Sequence, residues 1–395
     1  MRSHQQEGEL TRAGAGWDNP ATKVTRRSFV HETRTKKVLF VIAHQYHRAS
    51  LDPIYECMRD RPDYDIYFSC IEEKAGRWRF FQKSLREEME ARLREEGLRT
   101  TEETGGFDAV VTGDILRDAR PYGDALLCFI NHGTGIKTIL YRHLARHLET
   151  PYMIFVEGEY RQRKIDEFGV RGASRVFVVG YPKLDPIFQG KLDRNAIIKR
   201  WGLDPAKKTV LFAPTYKPTC IDAIRERILT ETTGYNLFIK LHHYSWRGRY
   251  APHWHHKIYE KAVGDFPHAR LIPVEEHNIL PFIYAADTMI SEASSTIFEL
   301  LALGKTGIIF DLDCATLRHS DGMPILDEDN RRFLEGAFIH ISSPDEIRPA
   351  VKKALAPHDG MKADVMKYRD ELFYKLDGRA SERVVNTIDT LLGER

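Results

Sequence analysis

The chain has 395 residues, enough for two domains of ordinary size that each bury a core of their own. Its 59 Lys and Arg residues nearly balance its 57 Asp and Glu residues, so no overall charge points to a nucleic-acid partner and any anion site must be local. The five cysteines are scattered and form no Cys-x-x-Cys pair, which favours a reducing, cytoplasmic compartment and argues against a cysteine-built zinc site.

Targeting signals are not evident in the sequence. No apolar run approaches the roughly 18 residues that a membrane-spanning helix needs. The basic N-terminus is not followed by the hydrophobic core of a signal peptide. Residues 1–35 carry Gly, Gln, Thr and Arg without an apolar period, so we expect them to form a disordered arm.

Short apolar strands alternate with helices through the rest of the chain, the pattern of parallel α/β sheets. The first set of strands is predicted at residues 37–43, 64–69, 108–112, 125–131, 152–156 and 175–179. The second set is predicted at 209–213, 236–241, 270–272, 288–290, 306–311 and 337–341. The pattern predicts a first domain at 36–190, a linker at 191–207, a second domain at 208–360 and C-terminal helices at 361–395.

A long charged helix is predicted from about residue 78 to 97. Basic and aromatic residues are concentrated around its start: Lys74, Arg77, Trp78, Arg79, Phe80, Phe81 and Lys83. We expect this segment to pack on the sheet, and contact with a membrane surface is the alternative.

Ligands of open parallel sheets bind beyond the carboxyl ends of the strands, so polar residues that follow a strand are the first candidates. His132 follows the fourth predicted strand, with Gly133, Gly135 and Lys137 next to it. An imidazole can accept a proton from a hydroxyl near neutral pH, and the glycines let the backbone approach an anion to which Lys137 adds a cation. An ordinary glycine turn with a hydrogen-bonded histidine is the alternative.

The second domain has two similar strand ends. Thr215 and Lys217 follow its first strand. Lys240 and His242 come at the end of its second strand, where alternation places both on the same face. These groups could hold a diphosphate, and a polar cap where the strand reaches the surface is the alternative.

A hydroxyl-rich turn, Ser294-Ser295-Thr296, separates the fourth predicted strand of this domain from a helix. The hydroxyls can cap the helix, and the free N–H groups at a helix start also attract phosphate. Its place late in a second βα domain favours the phosphate site.

A separate group of histidines, His253, His255 and His256, might suggest a metal. No carboxylate accompanies it in the sequence, and residues spaced by two do not share a helical face. We therefore predict no metal site and no cofactor.

Five segments in this order resemble the CDP-glycerol glycerophosphotransferase family, the teichoic acid primases and polymerases. They are His-Gly-Thr-Gly-Ile-Lys at 132–137, Gly-Tyr-Pro-Lys-Leu-Asp at 180–185, Val-Leu-Phe-Ala-Pro-Thr-Tyr-Lys at 210–217, Lys-Leu-His at 240–242 and Ser-Glu-Ala-Ser-Ser at 291–295. The resemblance implies an α/β protein of GT-B architecture, with two facing Rossmann-like domains built on parallel sheets. It further implies that the second domain binds the nucleotide and that the final helix crosses back to the first domain.

The same resemblance implies transfer of glycerol phosphate from CDP-glycerol to an acceptor hydroxyl with release of CMP, in the synthesis of a teichoic acid-like or capsule-like polymer. His132 would be the base and His242 the second catalytic residue. Glu292 or Glu299 would contact the ribose or base. The implied donor-binding residues are Lys137, Thr215, Lys217, Lys240, Glu292, Ser294, Ser295, Thr296 and Glu299.

The chain departs from the family pattern at four places. The family usually has Pro at Gly135, Arg-Asn at Lys183-Leu184, Pro at His243 and Asp-Tyr at Glu292-Ala293. Other donors therefore stay open, namely CDP-ribitol or another nucleotide-activated polyol. The remaining alternatives are a GT-B glycosyltransferase or nucleotide-sugar epimerase that uses a UDP- or CMP-sugar, and a nucleotide-binding module without catalysis.

The partners expected from the resemblance are a nucleotide-activated donor and a polyol-phosphate or lipid-linked glycan acceptor, with no nucleic acid. Such a protein would work in the cytoplasm or as a peripheral protein at the inner face of the cell membrane.

Overall fold

Strands that are apolar along their whole length are buried on both faces, and they pair in parallel where helices cover both sides of the sheet. The computed structural model has this arrangement twice. It describes residues 34–71, 74–75, 83–246, 254–292, 294–312, 318, 322–328 and 331–395. Nearly all of the predicted arm at 1–35 lies outside these residues, as do Trp78, Phe80 and Phe81 of the segment considered for membrane contact.

The strands follow the predicted alternation with helices. They are β1 (Lys36–Ile42), β2 (Tyr64–Cys70), β3 (Lys74–Ala75), β4 (Lys83–Ser84), β5 (Ala109–Thr112), β6 (Leu126–Ile130), β7 (Met153–Val156), β8 (Arg175–Val178), β9 (Thr209–Phe212), β10 (Asn236–Ile239), β11 (Ala269–Leu271), β12 (Thr288–Ser291), β13 (Ile308–Phe310) and β14 (Ile339–Ile341). The helices are α1 (Arg48–Arg59), α2 (Leu85–Glu95), α3 (Ile139–Leu144), α4 (Glu159–Glu167), α5 (Asp185–Phe188), α6 (Arg194–Arg200), α7 (Ile221–Ile224), α8 (Arg227–Glu231), α9 (His255–Ala262), α10 (Leu280–Ala285), α11 (Thr296–Ala302), α12 (Ile347–Ala354), α13 (Asp359–Leu372) and α14 (Ala380–Gly393).

All twelve predicted strands are present, and their ends lie within two residues of the predicted ones. The predicted helix at 78–97 is wrong in its first part, because Lys83–Ser84 pairs with Lys74–Ala75 in an antiparallel hairpin and the helix starts only at residue 85. Backbone groups that hydrogen-bond across this hairpin are not available for a helical turn.

Each half of the chain contributes one six-stranded parallel sheet. The N-terminal half, β1 to β8, has the strand order β2-β1-β5-β6-β7-β8, and the C-terminal half, β9 to β14, has the order β11-β10-β9-β12-β13-β14. The first strand of each sheet therefore lies between its second strand and a later one, so the order reverses at β1 and at β9. Ligands of such sheets bind at this switch point, beyond the carboxyl ends of the strands. The two sheets lie inside the predicted domains at 36–190 and 208–360, whose boundaries stay a prediction.

The last helix packs against the N-terminal half. Val384, Val385 and Ile388 of α14 belong to the same core as Val38 and Phe40 of β1. The chain crosses back to the first sheet as the resemblance implied, and residues 35–395 form one compact unit. No helix in the described part of the chain has the length and apolar character needed to cross a bilayer.

Hydrogen bonds hold the start of this last helix in place. The carboxylate of Asp185 accepts hydrogen bonds from the backbone N–H groups of Ala380 and Ser381, at 3.1 and 2.7 Å. The guanidinium of Arg383 donates to the carbonyl oxygen of Val179, at 2.6 Å. Both anchors belong to the segment that follows β8, so the end of the N-terminal half and the end of the chain are fastened together.

A buried ion pair also joins the two halves. Glu299 of α11 is fully buried, and its Oε1 atom lies 2.5 Å from Nζ of Lys183, which follows β8. The hydroxyl of Tyr181 lies 3.4 Å from the same oxygen and donates a 2.8 Å hydrogen bond to the carbonyl oxygen of His132. The pair therefore ties α11 to the loops that follow β6 and β8.

We expect Lys183→Met to lower the free energy of unfolding by about 3–5 kcal/mol, because it leaves the Glu299 carboxylate buried without a counter-charge. Chemical denaturation measures this change. The double variant Lys183→Met/Glu299→Gln removes both charges and should recover part of the loss. If the double variant were less stable than the single one, the loss of stability in Lys183→Met could not be attributed to the unpaired carboxylate of Glu299.

A second prediction concerns the crossing segment. A Cβ at Gly158, which precedes α4, would lie 2.2 Å from the carbonyl oxygen of Leu372. Because the obstacle is backbone, Gly158→Ala should destabilise the fold by about 1–3 kcal/mol and lower the melting temperature. Gly264→Ala is the control, since its Cβ would meet nothing within 4 Å. Equal melting temperatures for the two variants would contradict this close approach.

Candidate active site

Loops that follow the strands of the two sheets contact each other. Nζ of Lys137 donates to Oγ1 of Thr215 at 3.3 Å, and the hydroxyl of Thr134 donates to the carbonyl oxygen of Ser295 at 3.4 Å. A Cβ at Gly133 would lie 3.5 Å from the Ser295 side chain. The structure thus brings three of the predicted donor-binding residues, Lys137, Thr215 and Ser295, to the loop that carries His132.

The backbone of the His132 loop is held from both halves. Residue 137 forms an antiparallel bridge with residue 326, flanked by a 2.8 Å hydrogen bond from the N–H of Asp327 to the carbonyl oxygen of Ile136. Gly135 has φ +113°, and a Cβ there would lie 2.2 Å from the Phe298 ring. Proline is fixed near φ −65° and cannot adopt this conformation. The glycine that departs from the family pattern is therefore required by the path of this loop.

His132 has a defined tautomer. Its Nδ1 makes a short hydrogen bond with the carbonyl oxygen of Gly113, at the end of β5. A carbonyl oxygen can only accept, so Nδ1 carries the proton and Nε2 of the neutral ring keeps its lone pair. Burial lowers the pKa of His132, and the charge of Asp114 and the Gly113 hydrogen bond oppose this only in part. The ring is therefore a neutral base with Nε2 as the accepting atom.

His242 has the opposite tautomer. Its Nδ1 accepts a 3.2 Å hydrogen bond from the backbone N–H of Tyr244, so the proton of the neutral ring is on Nε2. Burial lowers the pKa of His242 well below its usual value, and electrostatic interactions with His243, Lys137 and Lys240 lower it further. His242 is therefore a neutral hydrogen-bond donor through Nε2.

The Tyr46 ring links the two histidines. Its centroid lies 5.6 Å from that of His132 and 5.8 Å from that of His242. On the N-terminal side, the His47 ring lies 4.1 Å from His132, and on the other side Tyr216 lies 4.7 Å from His242. A continuous layer of rings therefore runs from the switch point of one sheet to that of the other.

Part of this layer was not predicted from the sequence. Residues 44–47, which follow the first predicted strand, and Asp114, which follows the third, were not among the predicted site residues. The available signal was that polar residues directly follow a strand. Their importance comes from the strand order, because β1 is at the switch point of its sheet and β5 is its neighbour.

Lys240 is buried at the end of β10, and Lys217 is exposed in the loop that follows β9. Burial lowers the pKa of Lys240 to about 8, against the opposing charges of Glu276 and Glu275. The structure places Lys217 in the same loop as Thr215, but its side chain does not share the burial of Lys240 or Thr215.

The predicted hydroxyl turn begins α11. The hydroxyl of Ser294 accepts hydrogen bonds from the backbone N–H of Thr296 at 3.4 Å and from its hydroxyl at 3.0 Å. Ser295 makes no side-chain capping bond, and it is the residue that faces Gly133 and Thr134. Residue 293 of the predicted motif lies outside the described residues.

Glu292 and Glu299 lie behind the loops. Glu292 is fully buried; its Oε1 accepts from the N–H of Thr215 at 2.8 Å, and its Oε2 accepts from the thiol of Cys220 at 3.3 Å. Burial raises the pKa of Glu292 to about 7, and these two hydrogen bonds oppose that rise. Since Glu299 is paired with Lys183, both carboxylates are engaged with protein groups. Their predicted contact with ribose or base stays a prediction.

The histidines considered for a metal are not grouped as a ligand set within the described residues. Nε2 of His255 lies 3.3 Å from Oδ1 of Asp222, so a carboxylate is nearby that the sequence did not reveal. His256 faces the carbonyl oxygen of Ser245 through Nδ1, at 3.0 Å. Residue 253 lies outside the described part of the chain.

Known structures share this architecture at low sequence identity. A variant of the wall teichoic acid polymerase TagF is 16% identical with a TM-score of 0.62, and the alignment covers 92% of this chain and 91% of that one. A TagF variant soaked with CDPG is 15% identical with a TM-score of 0.63, covering 92% and 91%. The UDP-GlcNAc 2-epimerase from Neisseria meningitidis bound to UDP-GlcNAc is 13% identical with a TM-score of 0.58, covering 90% and 100%. The likeness shows a common fold and confirms the predicted GT-B architecture.

The sequence itself identifies the family. No curated protein matches the chain. The family model described as CDP-Glycerol:Poly(glycerophosphate) glycerophosphotransferase matches residues 131–390, which run from the loop of His132 into α14. The match includes every site residue predicted from the resemblance and confirms that the protein is an enzyme. The chain belongs to the CDP-glycerol:poly(glycerophosphate) glycerophosphotransferase family.

Proposed function

We propose that the protein transfers glycerol phosphate from CDP-glycerol to an acceptor hydroxyl and releases CMP. The main support for the proposal is a pair of neutral histidines with opposite tautomers, His132 on one half and His242 on the other. The Tyr46 ring lies near both of them. Family membership supports the donor, because the family description specifies CDP-glycerol and glycerophosphotransfer.

The reaction needs one proton acceptor and one displacement. Nε2 of His132 takes the proton of the acceptor hydroxyl as its oxygen attacks the β-phosphorus of the donor. The bond between that phosphorus and the bridging oxygen breaks, and its electron pair leaves with CMP. The charge of Asp114 favours the imidazolium that forms on His132. The transferred group ends as a phosphodiester with the acceptor.

Groups of the C-terminal half would stabilise the negative charge. His242 would donate through Nε2 to a phosphate oxygen, and Lys240 would add a buried cation that strengthens the electrostatic field. Lys137 and Thr215 contact each other across the two loops, which supports the proposal that both bind the diphosphate of the donor. The remaining proposed phosphate contacts come from Lys217, Ser294, Ser295 and Thr296.

The two buried carboxylates fit a positioning role. Glu292 holds the Thr215 loop through its N–H, and Glu299 holds Lys183 and Tyr181 beside the backbone of His132. We also propose a polyol-phosphate or lipid-linked glycan acceptor, reached from the cytoplasm or the inner face of the membrane. TagF, which shares the fold, is a wall teichoic acid polymerase.

The donor can be tested by incubating the purified protein with CDP-glycerol and a glycerol-phosphate lipid acceptor and measuring CMP by chromatography. We expect acceptor-dependent CMP release. CDP-ribitol, a CMP-sugar and UDP-GlcNAc serve as competing donors. If any of them were used faster than CDP-glycerol, that compound would be assigned as the donor in its place.

We expect His132→Ala and His242→Ala each to reduce kcat/KM for CMP release by about 10²–10⁴-fold, because one removes the base and the other a donor to the developing charge. His147→Ala, a histidine after α3 that is outside the ring layer, is the matched control and should retain activity. Melting temperatures would show whether the variants are folded. Near-normal turnover in a folded His132→Ala or His242→Ala protein would exclude that histidine.

The pH dependence should show the titration of Lys240. Since burial lowers its pKa to about 8, the cation is present below that pH and is lost as the pH rises through it. We therefore expect kcat/KM to fall above about pH 8. Arginine stays charged in this range, so Lys240→Arg should move the alkaline fall to higher pH. An unchanged alkaline limb would show that Lys240 does not cause it.

A further inference from the structure

Three potential metal ligands meet at the switch point of the first sheet. His44 and His47 come from the turn that follows β1, and Asp114 comes from the end of the neighbouring β5. Each offers one ligand atom, and these atoms all lie within 4.8 Å of one another. All three residues precede residue 131, so they lie outside the family match. We propose that His44, His47 and Asp114 form a binding site for a divalent transition-metal ion.

His47 provides an independent reason to infer a ligand. Its side chain is fully buried, and neither ring nitrogen has a hydrogen-bond partner among the described residues. Buried polar groups are nearly always hydrogen-bonded, and one that is not costs about 1–3 kcal/mol. A metal ion bound to one of the nitrogens would compensate for that cost.

The local backbone favours this position of the ring. Gly113 follows β5 directly, and a Cβ there would lie only 3.0 Å from Cβ and Cγ of His47. Any larger residue would therefore push the imidazole away from the end of β5. The glycine allows His47 to lie close to Asp114, the next residue in the chain.

The carboxylate is also oriented by the fold. The backbone N–H of Ile115 donates to Oδ1 of Asp114 at 2.9 Å, and Nδ1 of His143 lies 3.8 Å from the same oxygen. Partners of this kind orient metal ligands in known sites. The site therefore contains an oriented carboxylate and a buried imidazole, and His44 and Asp114 are both less buried than His47.

The ligand types indicate the metal. Two imidazoles and one carboxylate suit Zn²⁺, Mn²⁺ or Fe²⁺ better than Mg²⁺, which prefers oxygen ligands. Zn²⁺ bonds of about 2.0–2.1 Å place tetrahedral ligand atoms about 3.4 Å apart. The three ligand atoms, now within 4.8 Å of one another, would therefore move closer together by on the order of 1 Å when the ion binds. Three protein ligands leave a coordination position open for a substrate oxygen.

The location gives the ion a role that rests on the proposed function. The His47 ring lies 4.1 Å from the His132 ring, so a metal bound to His47 would be next to the proposed base. A metal-bound hydroxyl loses its proton more readily than a free one. The ion would bind the acceptor hydroxyl, and Nε2 of His132 would take its proton.

The site can be tested without donor or acceptor. Full-length protein freed of metal with a chelator would be titrated with Zn²⁺ and Mn²⁺ by calorimetry, and with Co²⁺ while its visible absorption is recorded. We expect one ion per chain and at least tenfold weaker binding in His47→Gln and Asp114→Asn. His340→Gln is the control, because it removes another histidine beside a carboxylate, with Nδ1 2.9 Å from Oδ1 of Asp311.

The site would be overturned if the unaltered protein showed no saturable metal binding. It would also be overturned if the folded variants and the control bound the metal with equal affinity. Asp114→Asn keeps the size of the side chain, so it remains a test if His47→Gln fails to fold. Because binding is measured without substrate, a failure of the site is distinct from a failure of the proposed transfer. In a second measurement, CMP release should fall after chelation and return when metal is added, and an unchanged rate would overturn the catalytic role of the ion.

Discussion

The parallel order of the strands is the constraint on which the site depends. All strands of a parallel sheet end at the same edge, so the loops that carry polar residues are collected there irrespective of their distance in sequence. The order reverses at β1 in one sheet and at β9 in the other. Contacts such as Lys137 with Thr215, and the buried pair of Lys183 with Glu299, then hold the two edges together.

Hydrogen bonds to the backbone give the two histidines different chemistry. Imidazole is the same group at both positions, but Gly113 offers an acceptor to His132, whereas Tyr244 offers a donor to His242. Burial keeps both rings neutral, and an environment of low dielectric strengthens every interaction with a phosphate. The proposed division of labour therefore follows from which backbone group each Nδ1 meets.

Much of the fold and part of the site could be predicted from the sequence. Continuous apolar runs show strands buried on both faces, and polar residues after them show candidate positions, so His132, Lys137, Thr215 and Ser295 could be found. Their assembly depends on the order of the strands, which local patterns do not contain. For the same reason the meeting of His47 with Asp114 was not predictable, because they follow β1 and β5, and α1, β2, β3, β4 and α2 lie between these two strands in the sequence.

Partners in other segments of the chain explain the remaining differences. Glu299 looked available for the nucleotide because Lys183, its partner, is far away in sequence and follows a strand of the other half. The start of the predicted helix at 78–97 was wrong because Lys83 and Ser84 pair with the nearby strand Lys74–Ala75 in a hairpin. In both cases the local pattern was compatible with the prediction, and pairing with another segment decided the outcome.

The tautomeric state of the two histidines most directly tests the proposed roles of His132 and His242. Nitrogen-15 NMR of metal-free protein with labelled histidine, assigned with His132→Gln and His242→Gln, can distinguish a protonated ring nitrogen from one with a free lone pair. We expect that near neutral pH the proton is on Nδ1 of His132 and on Nε2 of His242. The same tautomer at both positions, or a protonated Nε2 on His132, would contradict the assignment of one base and one donor.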